Sequence, residues 1–187
     1  MNRNDKYLIE QILKGDTNYF STIVDRHKDK SFNLAFKICG NREDAEEIVQ
    51  DAFLKAYRSL GGFRKESNFT TWLYRIVYNT AISQHRSKDE RTIPLEDAMH
   101  EISARPDDDN NKNKHDNDRK KLLINFALGK LNETDRGLIT LMYYDDLTID
   151  EMAEITRLSA SNIKVRLHRS RQKLLETLTK TQNNEAI

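Results

Sequence analysis

A chain of 187 residues is long enough for one or two small domains; with 33% charged residues, two Pro, six Gly and a mean hydropathy of −0.81, its composition is that of a soluble, mostly helical protein. Its 31 Lys+Arg and 30 Asp+Glu nearly cancel. No apolar run is long enough to span a bilayer and no charged-then-apolar leader opens the sequence, which excludes a membrane-spanning role and implies the cytoplasm.

Cys39 is the only cysteine, so no intrachain disulfide can form, and its place in the apolar run FKIC marks a buried structural thiol. From the start of the chain, Asp5 to Lys14 predicts a short amphipathic helix with Tyr7, Leu8, Ile12 and Leu13 on its apolar side, ended by Gly15. Asp16 is placed to cap a second helix that runs to Cys39. This helix turns Tyr19, Phe20, Ile23, Val24, Phe32, Ala35, Phe36 and Ile38 toward a core and ends at Gly40. Asn41 opens a third, REDAEEIVQDAFLKAYRSL, whose acids crowd the first turns, where the helix dipole favours them. Ala45, Ile48, Val49, Ala52, Phe53, Ala56 and Leu60 form its buried stripe. On the opposite face Glu43, Glu47, Gln50, Asp51, Leu54 and Arg58 project together. A single exposed leucine carries no meaning by itself. Leu54, framed by acids and an arginine, fits a docking face in which an apolar anchor is rimmed by charges that set partner and register.

Gly61 and Gly62 break the chain, FRKESNF follows as a polar loop, and TTWLYRIVYNTAISQHR predicts a fourth helix. Phe69, Trp72, Leu73, Ile76, Val77 and Thr80 face inward; Tyr74, Arg75, Tyr78, Asn79, Ile82, His85 and Arg86 lie on or beside the outer face. Two readings of the tyrosines stand side by side. Tyrosines one turn apart with interleaved arginines offer aromatic surfaces to unstacked bases and cations to a single-stranded backbone. The same tyrosines equally suit packing against a neighbouring helix with only their hydroxyls wet.

The charge is unevenly divided. Residues 1–88 hold 15 Lys+Arg against 11 Asp+Glu, residues 89–118 hold 4 against 10, and residues 119–187 hold 12 against 9. The middle block, with the run ARPDDDNNKNKHDND, has almost no apolar residues and reads as a linker. In TIDEMAEITRLSASNIKVRLHRSRQK, Thr148 and Glu151 form a capping box ahead of Met152, Ala153 and Ile155. The helix stops near Arg157, and Ser159 or Ser161 caps a last helix with Ile163, Leu167, Ser170, Leu174 and Leu178 inward. Lys164, Arg166, His168, Arg169, Arg171 and Lys173 crowd the rest of its circumference. A basic second helix after a tight turn reads as a helix-turn-helix, because a major groove admits one α-helix whose N-terminal side chains reach base edges while its cations meet phosphates. Ser161, Lys164, Val165, His168 and Arg169 point away from the core, and an outward valine among cations suits a thymine methyl. A solvated basic face is the alternative. The predicted fold is all-α: two small helical domains joined by a flexible acidic linker. Residues 1–88 form the first, 89–118 the linker, 119–180 the helix-turn-helix domain and 181–187 a disordered tail.

DAEEIVQDAFLKAYRSL, then F-x-x-E-S-x-F-x-T-WLYRIVYNTA, a polar linker and a terminal IKVRLHRSRQKL together closely resemble an extracytoplasmic-function (ECF) sigma factor of bacterial RNA polymerase over nearly the whole chain. The resemblance implies a non-catalytic promoter-specificity subunit without cofactor or metal. It implies core polymerase docking through Glu47, Gln50, Asp51, Leu54 and Arg58. It implies capture of the melted non-template strand of the minus-ten element by Lys65, Glu66, Ser67, Asn68 and Phe69, with Trp72, Tyr74, Arg75, Tyr78 and Asn79 beside them; the family loop often has Gly where this chain has Lys65. Ser161, Asn162, Lys164, Val165, Arg166, His168 and Arg169 would read duplex DNA at the minus-thirty-five element, with Leu122 to Lys130 and Asn132 to Tyr144 as the supporting helices. The acidic linker would thread the polymerase's RNA channel, and an anti-sigma factor would cover the docking faces. No small-molecule substrate is implied. A stand-alone helix-turn-helix repressor would instead dimerise on a palindrome. An enzyme lacks support: there is no Gly-rich phosphate loop, no H-E-x-x-H and no nucleophile elbow. His27, His85, His100, His115 and His168 are too scattered for a metal. A protein-interaction module would not need cations clustered on the last helix.

Overall fold

A computed structural model of the chain describes residues 3–63, 68–89 and 112–184. Among them there is no strand and there are eight α-helices: α1 (Arg3–Leu13), α2 (Tyr19–Cys39), α3 (Arg42–Ser59), α4 (Phe69–Asp89), α5 (Lys112–Gly129), α6 (Glu133–Tyr143), α7 (Ile149–Thr156) and α8 (Ala160–Asn184). A single 3₁₀ turn, Leu60–Gly62, closes α3.

The helix boundaries follow local chemistry. Asn41 accepts the Asp44 amide at 2.7 Å and starts α3, and Asn132 accepts the Asp135 amide at 2.9 Å and starts α6. Thr148 and Glu151 form both arms of the expected capping box at α7, with Thr148 N donating to Glu151 Oε2 at 2.9 Å and Glu151 N to Thr148 Oγ1 at 3.3 Å. Each such cap satisfies amides that a helix start leaves without partners, and contributes about 1 kcal/mol. Gly40 ends α2 at φ 86°, where a Cβ would be strained. Arg157 ends α7 with φ 60° and no glycine to ease it.

Three boundaries differ from the sequence expectation. Asp16 does not cap α2; its carboxylate takes the Asn18 amide at 3.3 Å in a turn ahead of the helix, which begins at Tyr19 without a side-chain cap. α5 starts at Lys112, so residues 112–118, expected as linker on their polarity, are helical; most of the expected linker lies outside the described residues. α8 runs on through Asn184, into the expected disordered tail, and residues 185–187 lie outside the described residues.

α1 to α4 form an N-terminal bundle and α5 to α8 a C-terminal one, and the two share a continuous core. The α3 stripe is buried as expected at Ala45, Ile48, Ala52, Phe53 and Ala56, and Ile23, Leu34 and Ile38 of α2 meet it. Each fully buried Leu, Ile or Phe contributes about 1.5–3 kcal/mol relative to exposure. In the C-terminal bundle Leu138, Leu141, Met152, Ile155, Ile163 and Leu167 are buried. The bundles join where α6 packs on α2 and α4 and where α7 packs on α4.

Candidate nucleic-acid interface

α7, the turn at Arg157 to Ser159 and α8 make the expected helix-turn-helix. Ser159 Oγ accepts the Asn162 amide at 3.3 Å, so Ser159 rather than Ser161 starts the recognition helix. Ile163, Leu167 and Ser170 are buried and Leu174 and Leu178 half-buried, which fixes the helix rotation. Ser161, Asn162, Lys164, Val165, His168 and Arg169 are consequently exposed together, with Val165 48% accessible. Gln172 is exposed on the same face, one turn beyond His168. The helical period that selects Val165 and His168 also selects Gln172, one turn further along the same face.

Arg166 departs from expectation. Its guanidinium is half-buried and donates to Asp135 Oδ1 at 2.7 Å, so it ties α8 to the first turn of α6 instead of facing outward. Arg171 is likewise engaged, its Nε donating to the Tyr143 hydroxyl at 2.7 Å.

The face of α3 stands as expected. Glu47, Gln50, Asp51, Leu54 and Arg58 are all exposed, and Leu54 is 53% accessible. Asp51 pairs with Lys55 one turn on at 3.2 Å, a surface contact worth only about 0.3–0.5 kcal/mol.

The loop and α4 divide differently. Lys65, Glu66 and Ser67 lie outside the described residues, as do the side chains of His85 and Arg86. Asn68 is exposed, and its side-chain oxygen accepts the Thr70 amide at 3.3 Å as α4 begins. Phe69, assigned to the pocket loop, is a core residue: its ring meets Phe63 edge-on at 5.6 Å, Trp72 at 5.5 Å and His27 at 5.4 Å. Trp72 is half-buried, Arg75 half-exposed and Asn79 exposed.

Tyr74 and Tyr78 are not on an open face. They are only 1% and 4% accessible, because α6 and α7 cover that side of α4. The Tyr74 hydroxyl donates to Asp145 Oδ1 at 2.8 Å, just past the end of α6. Burial and the neighbouring carboxylate push the Tyr74 phenol up, and burial pushes the Asp145 carboxyl above the usual carboxylate range. The Tyr78 ring packs against Gly137 of α6, where a Cβ would come 2.8 Å from Tyr78 Cε2. Here the second of the two readings describes the structure: the tyrosines pack on neighbouring helices. Even the Tyr74 hydroxyl, expected to stay wet, is held by a carboxylate.

The junction holds further charges. The Arg136 guanidinium of α6 reaches the end of α2, with Nη1 3.5 Å from where a Cβ on Gly40 would stand. Its Nε is buried without a hydrogen-bond partner among the described residues. Lys37 of α2 donates to Asn125 of α5 and lies 5.2 Å over the Tyr144 ring. Burial lowers both cations' pKa values.

Among the described residues no group of His, Cys, Asp or Glu is arranged to hold a metal, and no helix is long and apolar enough to cross a membrane. An open apolar groove of about 390 Å³ lies between α5, α6 and α8, lined by Ile124, Tyr143, Leu174 and Leu175 among others.

Two family models match the chain: Sigma-70 region 2 over residues 23–91 and Sigma-70 region 4 over residues 121–174. The ECF RNA polymerase sigma factor SigW of Bacillus subtilis is 32% identical over 184 residues, covering 92% of this chain and 96% of its own. The ECF RNA polymerase sigma-E factor of Escherichia coli is 33% identical over 180 residues, covering 90% of this chain and 91% of its own. Among solved structures, CnrH in complex with the cytosolic domain of CnrY has the same fold, with a TM-score of 0.67 over 94% of this chain and 97% of that one at 24% identity. The sigma factor RpoE of Bartonella quintana, solved with the anti-sigma factor NepR, superposes with a TM-score of 0.66 over 86% and 96% at 23% identity.

Proposed function

The chain belongs to the ECF sigma factors of bacterial RNA polymerase, and from that membership we propose how its parts divide the work. It binds core RNA polymerase, recognises the minus-thirty-five and minus-ten promoter elements and promotes promoter opening. It acts in the cytoplasm and carries no catalysis of its own.

Residues 1–88 form the docking and melting domain, 89–118 the connecting segment and 119–180 the duplex-reading domain. Glu47, Gln50, Asp51, Leu54 and Arg58 dock the polymerase, a role supported by their common exposure on α3. Lys65, Glu66, Ser67 and Asn68 take the extruded base of the non-template strand. Phe69 and Trp72, packed on each other at the start of α4, and Arg75 and Asn79 beyond them carry the site on along α4, where Tyr74 and Tyr78 are buried under α6 and α7. Extruding a base costs a few kcal/mol of stacking, which a preformed pocket offsets. Ser161, Asn162, Lys164, Val165, His168 and Arg169 read the minus-thirty-five duplex. Arg166 holds the recognition helix at the angle this requires. Phosphate contacts position the protein, and the base pocket and recognition face supply specificity.

The observation that carries the reading is the outward face of α8, a valine and a histidine among cations at the N-terminal end of a helix whose other side is locked into the core. The neighbours solved with CnrY and with the anti-sigma factor NepR support an anti-sigma partner for this chain as well. Size-exclusion chromatography with purified core polymerase tests the docking. Wild type should co-elute and Leu54→Asp should not. A monomer that leaves a footprint on promoter DNA only with polymerase present fits the proposal; a dimer with a footprint on a palindrome by itself would replace it with the repressor reading.

A further inference from the structure

We propose that His27 is a positioning residue of the minus-ten site: as a neutral imidazole it supports the Phe69 ring, and on taking up a proton it withdraws that support, so that strand capture weakens in acid while the fold persists. The proposal rests on the reading of Asn68 and α4 as part of the minus-ten site.

Phe63 and Phe69 stand at the two ends of residues 64–68 and are pinned to each other. Their rings meet edge-on at 5.6 Å, and Trp72 closes the cluster at 5.2 Å from Phe63 and 5.5 Å from Phe69. Asn68, which the proposed function sets at the extruded base, is the chain neighbour of Phe69. Where the Phe69 ring lies therefore decides where Asn68 and the start of α4 lie. From the core side the cluster rests on His27 of α2, whose ring meets Phe69 at 5.4 Å and 67°.

The support is polar where an apolar one would pack as well. His27 is 8% accessible, and its Nε2 has no hydrogen-bond partner among the described residues. That nitrogen stands 3.4 Å from Oδ2 of Asp5, a buried carboxylate of α1 whose other oxygen takes Arg26 Nη1 at 3.1 Å. A buried polar atom left unpaired is a net cost that an apolar side chain of similar size avoids. What the imidazole adds is a place for a proton, opposite a carboxylate.

The surroundings set when that proton arrives. α1 presents Asp5, α2 itself Arg26 and Lys30, and α4 the uncharged Phe69 ring. Burial is the largest influence and disfavours the imidazolium; Asp5 favours it, and Arg26 and Lys30 repel it. The folded chain thus refuses the proton until the pH falls below the ordinary 6.5, and the supporting form is lost as pH falls through that lower value. Once charged, the ring gains by turning toward Asp5 and water and away from Phe69. Local rearrangements of this kind need less free energy than global unfolding, so the aromatic cluster responds before the fold does.

Trp72, the only tryptophan, reports on the cluster directly. In the full-length protein its emission is followed from about pH 7.5 to about pH 5, beside helical circular dichroism. With purified core polymerase, permanganate reactivity of melted thymines is followed over the same range on a genomic upstream fragment that yields a start site. In the wild type both signals should change with one midpoint below 6.5, opening should be down about twofold at that midpoint, and circular dichroism should stay level. His27→Phe keeps a ring against Phe69 and cannot take the proton, so each of its profiles, relative to its own value at high pH, should be flat; His27→Gln serves in its place if it misfolds. Coinciding profiles for wild type and His27→Phe would overturn the proposal, and so would a Trp72 transition with no change in opening. The minus-ten reading is checked separately, by loss of opening in Asn79→Ala at the high-pH end. Opening that survives that substitution, with Trp72 still titrating, would overturn the minus-ten reading and leave the contact of His27 with the cluster standing.

Discussion

Tyr74→Phe deletes one atom from a buried ring and nothing else. In the wild type that hydroxyl donates to Asp145 Oδ1 at 2.8 Å across the junction between the bundles. A hydrogen bond to a charged group contributes about 1.5–3 kcal/mol, and a carboxylate that loses it inside a partly dry site keeps its desolvation cost. Asp145 is half-buried and retains some water, so the lower end applies, about 1.5 kcal/mol. For a chain of this size that corresponds to a fall in melting temperature of about 3–6 °C. The assay is a double-mutant cycle by urea denaturation at pH 7.5, with Tyr74→Phe, Asp145→Ala and the pair. If the bond exists in solution, the second substitution adds little to the first and the coupling energy is about 1 kcal/mol or more. Losses that add to within about 0.5 kcal/mol would show that hydroxyl and carboxylate do not meet, and the junction would have to be redrawn.

Arg166→Ala and Arg169→Ala should separate cleanly. The first removes the Asp135 bond and costs up to about 1 kcal/mol of stability; the second leaves stability alone and lowers the salt dependence of minus-thirty-five DNA binding by about one phosphate contact. Thr148→Ala breaks the capping box of α7 and should cost about 1 kcal/mol in urea unfolding; no loss would mean α7 is held by packing alone. His27 is buried between α1 and α4, its Nε2 3.4 Å from Asp5 Oδ2 without a hydrogen bond, its ring against Phe69, and Arg26 and Lys30 nearby on α2. Burial, only partly opposed by Asp5, sets its pKa below the ordinary 6.5. Between the folded and unfolded values the unfolded chain binds the proton more readily, so stability is lost as pH falls below about 6.5. His27→Gln should flatten that part of the pH profile; an identical profile would contradict it.

Much of the fold is legible in the residues. Asn41, Gly40, Asn132 and the Thr148–Glu151 pair announce their boundaries because capping is a local interaction, decided within three or four positions. The α3 and α8 faces are legible for a related reason: each helix is buried on one side, so a single 3.6-residue period separates core from surface. α4 defeats that rule because it is covered on two sides. Its first face packs on α2 and α3, and its second on α6 and α7. Periodicity assigns one inward face per helix and so sends Tyr74 and Tyr78 out. His27 and Ser31 of α2 were passed over in the same way, as polar residues on a buried side. One sign of the junction does stand in the sequence: Gly137, in the middle of a helix with a well-formed cap, marks a close approach. Asp145 gives no such sign, since its partner is 71 positions away. Lys112 to Asp118 read as linker from polarity alone, which does not distinguish a solvated helix from a coil.

The central claim, that the chain directs RNA polymerase to promoters, is tested most directly by run-off transcription with purified core polymerase on a pool of genomic upstream fragments, with and without the protein. Discrete new start sites that disappear with Leu54→Asp and with Arg169→Ala are the predicted result. An unchanged set of starts, in a reaction where the protein alone footprints the same DNA, would contradict it.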